Sequence, residues 1–292
     1  MIYIKKIHAV VSPDTQQRTY FGTKDLELDI DVLKFKDGSI RVCVNNLKDV
    51  KYHNYLKVGA YIENMDDLMI CSQINEIFNR EFPSISTILV VNSPIYSRYD
   101  RVMLDNRSDS FGAKVFANFV NSCGFGIVKY FDCHSEVLVD LTTKAHSDDQ
   151  LWCLEETLDA SKYNTIAPDK GAVKKNKNPS LIFDKKRELS TGKILGIELV
   201  KTIQVDLNKD FLVVDDLCEG GGTFLGLVSD FEKHYPDSKI NLYVTHGLFT
   251  NNAIPKLLEH YSKIFVYIMK QDVYDSLNKQ EKEKLVVKYL VV

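Results

Sequence analysis

A glycine-rich stretch directly after two adjacent carboxylates has the most distinctive chemistry in this sequence. Residues 211–224 read FLVVDDLCEGGGTF, so an apolar run precedes Asp215 and Asp216, and three glycines and Thr223 follow. If the apolar run is a buried strand and a helix begins near Thr223, the intervening loop presents backbone N–H groups at a helix N-terminus, where phosphate binds readily. Glycines let the backbone approach the anion closely, and Thr223 can add a hydroxyl donor. The stretch therefore predicts a phosphate-binding loop.

The two aspartates indicate that the phosphate belongs to a larger polar ligand. Phosphate binding alone does not explain Asp215 and Asp216, whereas carboxylates accept hydrogen bonds from ribose hydroxyls or support a metal ion. For the three glycines taken alone, a turn whose acidic neighbours face water is an equally good interpretation. The whole run, with its strand, carboxylates, glycines and threonine, favours a sugar phosphate.

The elements that must position these residues follow from the hydrophobic pattern. Helical spacing of apolar residues is found in 66–82 and in 110–124. Alternation of strands and helices predicts an α/β fold, in which ligands bind beyond the carboxyl ends of the parallel strands. Four short apolar runs of the type found in buried parallel strands are STILVVNSP near residue 90, GIVKYFDCH near 130, PSLIFDKKR near 183 and DFLVVDDL near 213.

The remaining segments complete the predicted organisation. The first residues, MIYIKKIHAVV, are typical of a first strand, and the alternating residues 37–52 predict a hairpin arm. The polar segment 168–179 predicts a surface loop, and the last residues, QEKEKLVVKYLVV, predict a charged turn and a closing strand.

Length and composition suggest how many domains the chain forms and which classes of partner it binds. At 292 residues, two α/β domains are expected, 1–140 and 141–268, and a return of 269–292 to the first domain is left open. The 37 basic and 40 acidic residues give a net charge of −3, so nucleic acid and anionic membrane are not expected partners. The six cysteines form no CxxC pair and predict reduced thiols in a cytoplasmic protein.

Six further motifs support one resemblance. The stretch 211–224 resembles the phosphoribosyl diphosphate signature of the type I phosphoribosyltransferase fold. Together with the other motifs, which occur in order between residues 30 and 265, it resembles the ribose-phosphate diphosphokinase family, and three of the six separate that family from the transferases. The six are FKDGS at 35–39, PIYSRYDR at 94–101, DCHSE at 132–136, PD at 168–169, DKKR at 184–187 and THGLF at 245–249.

The resemblance implies a reaction and a set of catalytic residues. The reaction is transfer of the β,γ-diphosphate of ATP to the anomeric hydroxyl of ribose 5-phosphate, which releases AMP. Lys185, Arg187 and His134 would be catalytic, and Mg²⁺ would lie near His134 and Asp169. Lys185 and Arg187 lead into a loop at 188–193 that should be able to move over a phosphate chain.

The resemblance also implies how the substrates are bound. Phe35 and Arg98 would sandwich the adenine of ATP. A homo-oligomer is implied, in which the hairpin at 35–50 completes the nucleotide site of a neighbouring subunit. The residues implied to bind nucleotide or sugar phosphate are Phe35, Asp37, Ser39, Arg98, Tyr99, Asp100, Asp215, Asp216, Glu219, Gly220, Gly221, Gly222 and Thr223.

Three departures from the family pattern leave alternatives open. Ser39 replaces a glutamate, Tyr99 replaces a glutamine, and Gly220 replaces the threonine of the phosphate loop. The first two would suit a non-catalytic relative that only binds nucleotide or sugar phosphate. Because Gly220 leaves more space, the same chemistry on ADP-ribose, as in phage-type relatives, is a further alternative. A phosphoribosyltransferase is the third, and the upstream motifs disfavour it.

Overall fold

The structure is a computed structural model that describes residues 7–12, 26–50, 55–102, 108–187 and 194–291. The described residues divide into two compact units at the junction of Ser147 and Asp148, a few residues beyond the expected boundary. Each unit has its own sheet and its own hydrophobic core. The predicted loop at 188–193 and the start of the predicted first strand, 1–6, lie outside the described residues.

The first unit is built on a sheet whose central strands are parallel. The strands of this unit are β1 (Ile7–Ser12), β2 (Leu26–Glu27), β3 (Ile30–Lys34), β4 (Ile40–Val44), β5 (Tyr55–Ala60), β6 (Ser86–Val91), β7 (Ile127–Phe131) and β8 (Ala145–Asp148), of which β3 and β4 form a separate two-stranded sheet. Its helices are α1 (Met65–Glu81), α2 (Gly112–Ser122) and α3 (Val137–Leu141), with a 3-10 helix at Leu47–Val50. The sheet order is β2-β1-β5-β6-β7-β8, and β5, β6 and β7 are parallel. The apolar runs near 90 and 130 are therefore the strands that the sequence predicts.

The predicted hairpin is present, but its first arm lies upstream of the predicted range. It consists of β3 and β4, and the second half of residues 37–52 holds the 3-10 helix instead of a strand. The hairpin packs on α1, where Gln73 accepts a hydrogen bond from the backbone of Val42 and donates one to the carbonyl of Ile40. The Gln73 side chain thus joins α1 to the backbone of β4 by two hydrogen bonds.

The second unit has a larger sheet that is parallel except at one edge. Its strands are β9 (Tyr163–Ala167), β10 (Leu181–Arg187), β11 (Ile194–Thr202), β12 (Asp210–Cys218), β13 (Ile240–Gly247), β14 (Ile264–Lys270) and β15 (Leu285–Val291). Its helices are α4 (Gln150–Thr157), α5 (Lys170–Lys175), α6 (Gly222–His234), α7 (Ala253–Leu258), α8 (Gln271–Asp275) and α9 (Lys279–Lys284), with a 3-10 helix at Ala160–Lys162. The order is β11-β10-β9-β12-β13-β14-β15, and only β10 and β11 pair antiparallel.

One expectation for this unit is wrong, and the question left open about the C-terminal segment is answered. Segment 168–179 is not simply a loop, because the Asp169 carboxylate accepts a hydrogen bond from the backbone of Ala172 and caps the short helix α5. The C-terminal segment does not return to the first unit, because β15 pairs in parallel with β14 and extends the second sheet. Its inward residues Leu285 and Val291 are buried there.

Two further features bear on the expected class of protein. Within the described ranges, no helix is both long enough and apolar enough to cross a bilayer. All six cysteines lie in those ranges, and none of them forms a disulfide there.

Candidate functional site

The sequence-predicted residues of the second unit lie at one edge of its sheet. Asp169 follows β9, Lys185 lies near the end of β10, and Asp215 and Asp216 lie near the end of β12. The strands β10, β9, β12 and β13 are neighbours and run parallel, so their carboxyl ends share this edge. The glycine loop at 219–223 leads from β12 into α6. This is the edge where α/β sheets place their ligands.

The glycine loop has the backbone geometry expected of an anion site. Gly221 is the N-cap of α6, and its φ of +78° lies in the left-handed region that favours glycine. No side chain of the described residues caps this helix, and its first turn contains no acidic residue. The first N–H groups of a helix have no partner within the helix, and they attract anions.

We expect Gly221→Ala and Gly222→Ala to separate the structural role of the loop from its binding role. A Cβ at Gly221 would be strained by the positive φ and would lie 3.4 Å from Leu257, so a loss of about 1–2 kcal/mol in unfolding free energy is expected. A Cβ at Gly222 meets no atom within 4 Å, so stability should be unchanged or slightly higher. Thermal unfolding measures the first effect.

If the loop binds phosphate closely, Gly222→Ala should still weaken sugar-phosphate binding, since its methyl group lies on the open side of the loop. Calorimetric titration with ribose 5-phosphate measures this second effect. Full affinity in a stable Gly222→Ala variant would contradict close approach of phosphate at this position.

The two aspartates lie within β12, which continues past the apolar run as far as Cys218. Asp215 and Asp216 are both partly buried. Asp216 accepts a hydrogen bond from Lys175 at 3.1 Å, and its backbone N–H donates to the carboxylate of Asp215 at 2.9 Å. Lys175, at the end of α5, is a site residue that the sequence reasoning missed.

Lys185 and Asp169 form an ion pair at the ends of neighbouring strands. Lys185 Nζ lies 2.8 Å from Asp169 Oδ2, and both side chains are about one quarter exposed. Burial alone would raise the pKa of Asp169, but the hydrogen bond and charge of Lys185 and the N–H of Ala172 together lower it. The lysine expected to act on phosphate is thus paired with the aspartate expected to hold a metal.

We expect the pKa of Asp169 to lie below its ordinary value of 3.8 and to rise in Lys185→Ala, because the substitution removes a lowering partner. A pKa that is lower in the folded state stabilises the protein above the unfolded pKa, and this stability is lost as pH falls through the folded pKa. Carboxyl NMR titration measures the shift. Asp230 is the control: partial burial would raise the pKa of its carboxyl, but hydrogen bonds from Leu199 and Lys233 lower it, and this pKa should not change in Lys185→Ala.

In the first unit, the hairpin turn exposes the predicted stacking residue. Phe35 is 47% exposed, and Gly38 turns the chain with a φ of +91°. The carboxylate of Asp37 accepts hydrogen bonds from the hydroxyl of Ser39 at 2.7 Å and from its N–H at 3.0 Å, and these lower the pKa of Asp37. Ser39, a departure from the family pattern, therefore stabilises the turn.

The motif at 94–101 packs against the start of α2. Arg98 and Tyr99 are exposed and Asp100 is half-buried. The backbone N–H of Ala113 donates to the carbonyl of Tyr99, and a Cβ at Gly112 would lie only 3.0 Å from the Cβ of Tyr99. Glycine at the first position of α2 permits this close approach.

The two predicted metal ligands belong to different units. His134 is exposed and belongs to the first unit, whereas Asp169 belongs to the second. Asp132, two residues before His134, has a φ of +39° at the end of β7. Among the residues that the structure describes, no three histidine, cysteine, aspartate or glutamate side chains are grouped to hold a metal ion. Arg187 is the last residue of β10.

Comparison with known proteins supports the resemblance found in the motifs. No family model matches the chain. The chain is 29% identical to the ribose-phosphate pyrophosphokinase of Ureaplasma parvum over 176 residues, which are 54% of this chain and 50% of that protein. It is 22% identical to the enzyme of the same name from Thermoplasma acidophilum over 240 residues, 80% of each chain. The chain spans about half the length of the first of these relatives.

A solved structure shows the same fold. The phosphoribosylpyrophosphate synthetase of Mycobacterium smegmatis superposes with a TM-score of 0.63 at 15% identity, and the match covers 90% of this chain and 86% of that one. The likeness confirms the predicted fold class, an α/β protein with parallel sheets of the type I phosphoribosyltransferase kind.

Proposed function

We propose that this protein is an ATP-dependent diphosphokinase that transfers the β,γ-diphosphate of ATP to the anomeric hydroxyl of ribose 5-phosphate. The observation that carries the proposal is the sheet edge of the second unit. Three features lie there, at the ends of neighbouring parallel strands. They are the N-terminus of α6, which follows the glycine loop and has no side-chain cap among the described residues, the carboxylates of Asp215 and Asp216, and the Lys185–Asp169 ion pair. The distant relatives named ribose-phosphate pyrophosphokinase support the same activity.

The proposed transfer is a single displacement at the β-phosphorus of ATP. The anomeric oxygen forms a bond to the β-phosphorus, and the bond between the β-phosphorus and the bridging α,β-oxygen breaks. AMP leaves with the bridging oxygen, and the hydroxyl proton passes to solvent. The protein's contribution is to position the reactants and to neutralise charge, as in other phosphoryl transfers. Lys185 and Arg187 would stabilise charge on the transferred group.

The acceptor would be held by the glycine loop and the aspartates of β12. The N–H groups at 219–223 and the hydroxyl of Thr223 would bind the 5-phosphate, and Asp215 and Asp216 would accept hydrogen bonds from the ribose hydroxyls. Lys175 would orient the Asp216 carboxylate, to which it already donates a hydrogen bond.

The nucleotide would be held by residues of the first unit. Phe35 and Arg98 have exposed side chains that could stack on adenine, and Tyr99 and Asp100 lie in the same motif as Arg98. Asp37 and Ser39 would stabilise the conformation of the hairpin turn by their hydrogen bonds to each other. By resemblance, the hairpin would complete the site of a neighbouring subunit in a homo-oligomer.

Magnesium fits the donor set at the sheet edge. Mg²⁺ in phosphate-transfer sites is held by one or two carboxylates together with substrate phosphates, so a cluster of three protein ligands is not required. Asp169 has a lowered pKa and is therefore ionised at neutral pH. Asp169 would hold the ion, with His134 as the second ligand implied by the resemblance. When bound, the ion would neutralise charge on the phosphates.

A second acceptor, ADP-ribose, is favoured by one observation. The glycine loop is open, because a Cβ at Gly222 would meet no atom within 4 Å and one at Gly220 would meet none closer than 3.8 Å. A 5-phosphate that continues into a larger group would find room there. The free ribose of ADP-ribose presents the same anomeric hydroxyl as ribose 5-phosphate.

The decisive experiment offers ATP and magnesium with either acceptor and follows AMP and product by mass spectrometry. AMP that forms only when ribose 5-phosphate or ADP-ribose is present is the expected result. A chain that binds nucleotide but forms no AMP with either acceptor would support the non-catalytic alternative. Release of pyrophosphate that depends on a nucleobase would support a phosphoribosyltransferase.

A further inference from the structure

The loop after β13 brings two polar side chains to the place where the glycine loop lacks one. A Cβ added to Gly220 would lie 3.8 Å from Asn251 Nδ2 and 4.0 Å from Thr250 Oγ1. These atoms come from a different strand connection, 30 and 31 residues further along the chain, and Gly220 is the loop position where a threonine was expected. An amide and a hydroxyl therefore border the space that a threonine side chain would occupy.

Both side chains are available to a ligand at this edge. Thr250 and Asn251 are exposed. The loop is held in place, because Lys256 donates a hydrogen bond to the carbonyl of Asn251 at 2.8 Å and the N–H groups of Leu248 and Phe249 donate to the carbonyl of Cys218, just before the glycine loop. The two loops are thus tied to each other directly beside Gly220.

We propose that Asn251 and Thr250 determine specificity by donating hydrogen bonds to the phosphate of the acceptor from the side of Gly220. The inference rests on the proposed function and names two residues of that site. The Nδ2 of asparagine and the hydroxyl of threonine are both donors that phosphate oxygens accept. They replace the hydroxyl that Gly220 cannot provide, and they do so without adding a positive charge.

The proposed hydrogen-bond donors to the acceptor phosphate carry no charge. The loop 219–223 contains Glu219 and no lysine or arginine, so the donors nearest the phosphate are neutral. Neutral donors bind the phosphate by directed hydrogen bonds, so losing one should lower affinity even at high salt, where charge attraction is screened.

The test uses Asn251→Gly, with Asn252→Gly as the matched control. Both asparagines have a φ of +57° and are exposed, so glycine removes each side chain without backbone strain. We expect Asn251→Gly to weaken binding of ribose 5-phosphate roughly tenfold, the effect of one hydrogen bond to a charged group, with turnover at saturation little changed. Asn252→Gly should leave affinity unchanged.

A second variant tests whether a threonine at position 220 can replace the hydrogen-bond donor that Asn251→Gly removes. Gly220→Thr has room for its Cβ at ordinary contact distance. In the Asn251→Gly background, Gly220→Thr should recover most of the affinity, while in the wild-type background the added side chain should crowd Asn251 and reduce binding. Ribose 5-phosphate and ADP-ribose are both titrated calorimetrically, and AMP formation is followed separately.

The outcomes distinguish this inference from the proposed function. Equal affinities of wild type and Asn251→Gly for an acceptor that the wild type turns over would overturn the inference and leave the function intact. If the wild type binds an acceptor without turning it over, the affinities still decide whether Asn251 contributes. A wild type that binds neither acceptor would overturn both proposals.

Discussion

Replacing Lys185 with alanine is expected to lower turnover by about a hundredfold or more, the effect of removing one group that stabilises developing charge in an active site. Acceptor affinity should change much less, because the lysine is paired with Asp169 and not with the glycine loop. Steady-state rates of AMP formation, together with calorimetric acceptor affinities, measure the two effects separately. Turnover at the wild-type rate would remove Lys185 from the mechanism.

Lys170→Ala is the matched control for Lys185→Ala. Lys170 lies in the same unit and pairs with Asp184 at 2.5 Å, but its side chain is 80% exposed. An exposed ion pair contributes about 0–1 kcal/mol to stability, so removing the charge of Lys170 should change neither stability nor turnover by much. A rate loss as large as that of Lys185→Ala would indicate a general effect of positive charge near the site.

Replacing Gly247 with alanine is expected to have the largest effect on stability. A Cβ at this last residue of β13 would lie 2.3 Å from Phe249 Cε2 and 2.9 Å from Val266 Cγ1. Val266 is fully buried, and Phe249 is buried with a φ of +46°, so neither can move away easily. Overpacking of this kind costs about 1–3 kcal/mol, which corresponds to a melting temperature lower by roughly 3–10 °C.

Gly196→Ala tests whether the effect is specific to position 247. Gly196 also lies in a strand of the second sheet, but a Cβ there would meet no atom within 4 Å. Its melting temperature should match that of the wild type. If Gly247→Ala also unfolds at the wild-type temperature, the ring of Phe249 has an alternative position and the loop after β13 is looser than the structure indicates.

The sequence predicted the elements whose pattern is long and regular. The apolar runs near 90, 130 and 213 form β6, β7 and β12, and α1 and α2 lie within a residue or two of their predicted ranges. Helix α5 was missed because it has only six residues, too few to show a helical period, and because a glycine and four lysines suggested a loop. The placement of β15 depends on pairing with β14, which no local pattern encodes.

The candidate site was predictable where a motif is contiguous and not where side chains meet from separate strands. Asp169, Lys185 and the glycine loop were named from their motifs, and the structure brings them to one sheet edge. Lys175 escaped notice because it reaches Asp216 across 41 residues of sequence. The capping role of Asp169 was also missed, since an aspartate after proline is usual in turns.

The lysines of the second unit's site already have carboxylate partners, Lys185 with Asp169 and Lys175 with Asp216. An anion that binds Lys185 would then replace the Asp169 carboxylate, which would keep its hydrogen bond from Ala172 but lose its cationic partner. Inorganic phosphate can complete only the first half of this exchange. A ligand that also supplies hydroxyl donors or an accompanying cation would complete both halves, so the paired lysines would favour such a ligand over a simple anion.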